Sequence, residues 1–288
     1  MIVACIAFGT IGLFVRAIPL PSAEIALYRA VIAVAVLLVF LLVTGRLKRE
    51  ALSALKGKLL RLFLSGAAMG FNWILLFEAY HYTSIALSTL CYYFAPVFVT
   101  AASIFLFREK PTAWQWGCSV CSVAGLALII GVSGGGSSDL TGALLATGSA
   151  VLYASVVLFN KSMKEIDGVT RSFLQFAAAA VVLTPYCALT GGFHPEVLHG
   201  TALWSMLLVG VVHSGIVYCL YFSALGALRG QSAAVLSYID PLVAVIVSAL
   251  FLSEPVMLPQ LLGGAVILLS TLLNEIEPKR LRRRKPAP

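Results

Sequence analysis

The sequence predicts an all-α integral membrane protein, ten transmembrane helices arranged as two inverted five-helix repeats around a central cavity. Three observations lead there. Of 288 residues, 60% are hydrophobic and 11% charged, against about 45–50% and about 25% in soluble domains. The apolar residues gather in runs of membrane-spanning length. The chain also resembles itself when shifted by 145 residues, with a proline in the middle of each matching run.

Composition comes first, because a mean hydropathy of +0.98 leaves too little charge to coat one soluble globule. A bilayer core about 30 Å thick needs about 20 apolar residues per helix. Runs near that length occupy 2–18, 23–44, 59–80, 84–107, 112–132, 140–160, 169–190, 201–226, 231–252 and 256–274. The first has no basic segment before it and no small-residue cleavage site after it, so it reads as a span rather than a signal peptide.

Charge sets orientation. All but two of the 20 Lys and Arg residues fall at 45–61, 108–111, 161–171, 227–230 and from Lys279 onward, the exceptions being Arg16 and Arg29. With both termini cytoplasmic, these segments are the inner loops and the tail, as the positive-inside rule requires. The net charge of +8 and the run 281–285 then read as topology and contact with anionic lipid, with no nucleic-acid partner. Six cysteines lie within the runs, Cys118 and Cys121 as a CxxC without a second ligand pair. They read as small buried side chains, with no metal site and no cofactor.

The shift of 145 places Pro96 on Pro241, Tyr93 on Tyr238 and Glu109 on Glu254, along with Gly70 on Gly215, Phe77 on Phe222, Ala79 on Ala224 and Ser103 on Ser248. The chain divides accordingly into a first repeat (1–132), a Gly/Ser-rich linker (133–139), a second repeat (140–276) and a basic cytoplasmic tail (277–288). Five spans per repeat turn the second upside down relative to the first. Each proline removes a backbone donor and crowds the carbonyl four residues back, that of Tyr92 or Ser237. Such a break belongs against protein or a watered cavity. Pro96 and Pro241 are therefore candidate hinges, and Tyr93 and Tyr238, one turn earlier, candidate cavity residues.

Polar residues within spans are costly and mark function by default. Arg29 reads as a clamp for a substrate carboxylate or as a structural ion pair with Glu24 or Glu78. Glu78 reads as a proton carrier or as a site for a cation among Trp73 and its neighbouring tyrosines. Asp240, directly before Pro241, suits an ammonium group or a proton, or caps the helix that restarts there. His213 is a further proton candidate, and Asn72 and Tyr153 are candidate hydrogen-bonders across the cavity.

Ten runs, two inverted units, a mid-span proline followed by a glutamate (Pro96 with Glu109, Pro241 with Glu254) and an arginine in the second run resemble the EamA family of the drug/metabolite transporter superfamily. The resemblance implies a bacterial inner-membrane secondary carrier, often an exporter of amino acids, their relatives or toxic organic compounds, working by alternating access. One departure is that Gln175 stands where the repeat register, at an offset of 146, matches Arg29. The reading is a transporter of a small zwitterion, with protons as a candidate coupling ion. A carrier of organic cations, quaternary amines or drugs is the alternative, and a membrane-embedded enzyme or a channel follows further behind. No ATP-binding motif is present. Monomer and dimer both remain open.

Overall fold

In hydrocarbon the backbone has only itself to bond with, so a spanning chain must form helices or a closed barrel; this chain forms helices. The computed structural model describes residues 1–45, 55, 57–108, 111–131, 136–228, 230–254 and 257–275. In order come α1 (Ile2–Arg16), α2 (Ser22–Val43), α3 (Leu59–Tyr82), α4 (Ile85–Tyr92), α5 (Ala95–Leu106), α6 (Ala113–Gly131), α7 (Gly136–Lys161) and α8 (Gly168–Thr190). After a short 3-10 turn, α9 (Gly200–Leu207), a π-helical turn (Leu208–Ile216) and α10 (Val217–Ala227) make one rod, followed by α11 (Gly230–Ser237), α12 (Ile239–Phe251) and α13 (Leu258–Glu275).

Among the described residues, six helical stretches are long and apolar enough to cross a membrane: α2, α3, α4 with α5, α7, α8 and the α9–α10 rod. Four shorter apolar helices accompany them, in α1, α6, α11 with α12, and α13. This is the make-up of a multi-pass membrane protein. Local chemistry sets several ends. Ser84 caps α4 by accepting from the Leu87 N–H, and Asp167 caps α8 by accepting from Val169 and Thr170.

Two apolar runs that read as single spans are broken. The run 84–107 stops at Tyr92 and restarts at Ala95, with Pro96 in the first turn of α5. The run 231–252 stops at Ser237 and restarts at Ile239, ahead of Pro241. A proline is tolerated in a first helical turn, where the missing N–H would have no partner anyway. The end of the expected linker also differs: residues 136–139 form the first turn of α7, while 133–135 lie outside the described residues. That turn is fixed by polar contacts to α3, with Ser138 donating to the Tyr82 carbonyl and the Thr83 hydroxyl donating to Asp139, both at 2.7 Å. Glu109 and the tail beyond Glu275 also lie outside the described residues.

Lipid supplies no hydrophobic drive between helices, so packing rests on small residues that let backbones approach. On α2, Ala26, Ala30, Ala33, Leu37 and Leu41 are fully enclosed, while Val31, Leu38, Val39 and Leu42 lie outward. α2 packs on α8 and on the π turn, α3 on α7 and α8, α1 on α12, α4 on α12 and α7, and α6 on α13. The last pair crosses with glycine on both sides: a Cβ added at Gly125 would sit 2.7 Å from the Gly263 carbonyl oxygen, and one at Gly263 2.6 Å from that of Gly125. Gly263→Val therefore has to separate α6 from α13. We expect a loss of about 1–3 kcal/mol, read as a lower thermal midpoint in detergent micelles. An unchanged midpoint would mean that this crossing is not held closely.

Candidate functional site

The two broken helices face each other. The Tyr93 hydroxyl, at the break after α4, lies 2.8 Å from Asp240 Oδ2 and 3.2 Å from the carbonyl oxygen of Ser237, the last residue of α11. A carbonyl released by one break is thus bonded by a side chain from the other. The Tyr93 and Tyr238 rings are 6.1 Å apart.

Beside this contact opens a cavity of about 400 Å³, walled largely by aromatic and apolar side chains. Its charged groups are Arg29 from α2 and Asp240 from α12. Arg29 is 4% exposed. Its Nε donates to Ser214 Oγ at 2.5 Å, and its guanidinium lies 4.2 Å from the centre of the Trp73 ring and 5.7 Å from that of Phe77. Among the described residues no carboxylate lies within ion-pair distance of it, and no cation within that distance of Asp240. Bringing a charge out of water costs several kcal/mol unless it is paired. Cation–π contact with Trp73 offsets part of that for Arg29, by about 2 kcal/mol when desolvated. The cavity therefore holds a basic and an acidic side chain, neither matched by a counter-ion among the described residues.

The other residues singled out from the sequence divide. Trp73, Tyr153, Tyr238 and Pro96 line the cavity with Tyr93, and the Tyr153 ring packs 5.2 Å from that of Tyr92. Pro241 is buried at the start of α12. Asn72 does not reach the cavity lining; its amide donates to the carbonyl and hydroxyl of Ser149 at 2.7 and 2.8 Å, tying α3 to α7. Glu78 also lies outside the lining, where it accepts from the Ser22 hydroxyl at 2.7 Å. His213 sits behind the wall against Phe14, its Nε2 3.1 Å from the Thr10 hydroxyl and its Nδ1 3.0 Å from the Leu208 carbonyl. Neither partner proposed from the sequence for Arg29 pairs with it, since Glu24 bonds to His194 and Glu78 to Ser22.

Ser214 and Gln175 are among the polar residues of this site that sequence reasoning did not single out. Ser214 resembles any small residue of an apolar run. Gln175 carried a signal, as a buried amide in the register of Arg29, and its Nε2 donates to Ser65 at 2.5 Å and to Asn160 at 2.8 Å.

At the bundle end where α1 finishes and α2 begins, polar ties join residues far apart in the chain. Arg16 pairs with Glu254 and donates to the carbonyls of Tyr80 and Thr83 at 2.7 and 2.8 Å, while Glu254 also accepts from the Ile85 N–H at 3.0 Å and from the Ser248 hydroxyl. Nearby, His194 gives its backbone N–H and its ring Nδ1 to Glu24, at 2.8 and 2.7 Å. The hydrogen bond to Glu24 holds the His194 imidazole above its ordinary value of 6.5. A raised folded-state pKa adds stability that is full below 6.5 and is lost as pH rises through the raised value. The thermal midpoint of the native chain should exceed that of His194→Gln below pH 6.5 and converge with it in alkali. A gap independent of pH would remove the charge from this tie.

The model of the EamA-like transporter family matches residues 1–131 and 140–275. A Bacillus subtilis (strain 168) protein named uncharacterized transporter YxxF is 30% identical over 273 residues, covering 93% of this chain and 85% of that one. Solute carrier family 35 member G1 of Mus musculus is 27% identical over 173 residues, 56% of this chain and 46% of its own. A solved crystal structure superposes with a TM-score of 0.65 at 18% identity, covering 98% of this chain and 96% of the other, a likeness of fold alone. The family and the relatives' names are those of transporters, not enzymes.

Proposed function

The chain belongs to the EamA-like transporter family, and from that premise we propose that it is a secondary carrier of a small zwitterion, an amino acid or a close relative, exported across the bacterial inner membrane by alternating access. The observation that carries this reading is the pair of oppositely charged groups, Arg29 and Asp240, in one aromatic-walled cavity, neither with a counter-ion among the described residues. A cargo bearing a carboxylate and an ammonium supplies both missing counter-ions at once. Its affinity then includes the relief of two poorly compensated charges.

In this proposal the spans number ten and form two inverted repeats, residues 1–132 and 140–276, with both termini cytoplasmic. Packing supports the inversion. α3 on α7 and α8 has its counterpart in the α9–α10 rod on α1 and α2; α1 on α12 has its counterpart in α7 on α5; α2 with α8 and α6 with α13 are their own counterparts. Two separate family matches, one in each half, support the same division. The distribution of Lys and Arg supports the orientation. For a coupling proton, Asp240 has the better placement, because Glu78 and His213 stand outside the cavity lining. A proton and a cargo ammonium compete for the same carboxylate oxygens, which is the elementary requirement for exchanging one against the other.

A second reading, a carrier of organic cations or quaternary amines, draws on the aromatic wall of Tyr92, Tyr93, Tyr153 and Tyr238 around Asp240. The buried guanidinium of Arg29 in the same cavity opposes a cargo with positive charge alone.

Reconstituted in liposomes, the carrier should move amino acids unchanged. Arg29→Ala should weaken amino-acid binding by about 1.5–3 kcal/mol, the range for a hydrogen bond to a charged group, and spare amines without a carboxylate. Asp240→Asn should weaken both kinds of probe and flatten the dependence of flux on a pH gradient. Equal losses for both probes in Arg29→Ala would defeat the zwitterion reading in favour of the cation.

A further inference from the structure

The π turn at Leu208–Ile216 adds one residue to a rod that is otherwise α-helical, and such turns recur at functional sites. Its place is defined by comparison with α3. Gly66 of α3 faces Ala178 of α8 and Gly70 faces Leu183, while Gly210 of the rod faces Ile32 of α2 and Gly215 faces Val36. The first pair of glycines is four residues apart and the second five. The extra residue falls between Gly210 and Gly215.

A second difference falls on the same contact. On α8, Gln175 Nε2 donates to Ser65, the residue before Gly66, at 2.5 Å. On α2 the matching side chain is Arg29, and the residue before Gly210 is Val209, which has no hydroxyl. The hydroxyl comes instead from Ser214, the residue before Gly215, which accepts from Arg29 Nε at 2.5 Å. Ser214 commits its own proton to the Val209 carbonyl five residues back, at 2.8 Å, so its lone pairs face the guanidinium. Arginine in place of glutamine and π turn in place of α turn thus meet in one hydrogen bond.

The consequence for Arg29 is geometric. A guanidinium pairs with a carboxylate through its Nε side or through its two terminal nitrogens. Ser214 occupies the Nε side and Trp73 covers one face at 4.2 Å. No other hydrogen bond to Arg29 is made among the described residues. We propose that Ser214, raised by the π turn, is a positioning residue that leaves Arg29 only its terminal edge for a cargo carboxylate and thereby sets the preference for carboxylate-bearing cargo. This rests on the zwitterion reading above.

The test compares purified full-length carrier with Arg29→Ala, Ser214→Ala and Ser214→Thr. The probes are the amino acid giving the largest thermal shift among the common ones, and the amine lacking only its carboxylate. The native chain should prefer the amino acid and Arg29→Ala should not. Ser214→Ala should lose about tenfold in affinity for the amino acid, the low end for a hydrogen bond to a charged group, with the amine unaffected. Ser214→Thr, which keeps the oxygen, should retain the preference. If Arg29→Ala loses the preference while Ser214→Ala keeps it, or weakens both probes alike, the positioning role is overturned and the zwitterion site stands. If the native chain shows no preference, both fall.

Discussion

Two helices broken inside a bilayer leave polar backbone that lipid cannot bond, and the structure answers with one contact, Tyr93 against Ser237 and Asp240. Each unsatisfied group in hydrocarbon costs several kcal/mol, so the breaks have to be turned toward each other or toward water. Much of the arrangement follows from that need. α4 and α12 must cross at their breaks, α1 must lie close on α12, and Gly9 permits it, since a Cβ there would meet the Asp240 carbonyl oxygen at 2.5 Å. The space beside the crossing is then lined by whatever the broken turns expose, and they expose tyrosines and a carboxylate.

The same logic separates ties that hold the bundle from groups that face its cavity. Arg16 and Glu254 are matched to each other and to backbone partners from the α3–α4 junction. At the opposite end Lys58 and Glu165 pair at 2.7 Å, an exposed contact of the kind worth little. Asn72 spends both amide protons on Ser149. These groups find partners within the protein and stand outside the cavity lining. Arg29 and Asp240 each have one hydroxyl partner and no counter-ion among the described residues.

That distinction marks what was legible in the sequence. The helical breaks announced themselves, because Pro96 and Pro241 stand in mid-run beside tyrosines, and the repeat gave each a matching register. Arg29 and Asp240 stood out as charges that an apolar span does not carry idly. Which polar residue faces the cavity was not legible, because these runs are apolar on nearly every side and periodicity gives no direction. Glu78 looked as eligible as Asp240 until Ser22 of the neighbouring helix was found beside it. His194 and Glu24 meet across 170 positions of sequence, beyond the reach of any local pattern. The π turn was hard to see because Leu208–Ile216 lies within a long apolar run, and one inserted residue barely alters the length or hydropathy of that run.

On the proposed reading, approximate symmetry with local exceptions is what a carrier of an asymmetric cargo needs. Two identical halves would line the cavity with the same groups twice, and a molecule with a carboxylate at one end and an ammonium at the other fits such a site no better one way than reversed. Here the matching positions carry Arg29 on one side and Gln175 on the other. Asp240 directly precedes Pro241, and the residue directly preceding Pro96 is the aliphatic Ala95. Each charge is present once. On the proposed two-repeat reading, the repeat supplies the crossing helices and the cavity, and the departures from the repeat supply its polarity.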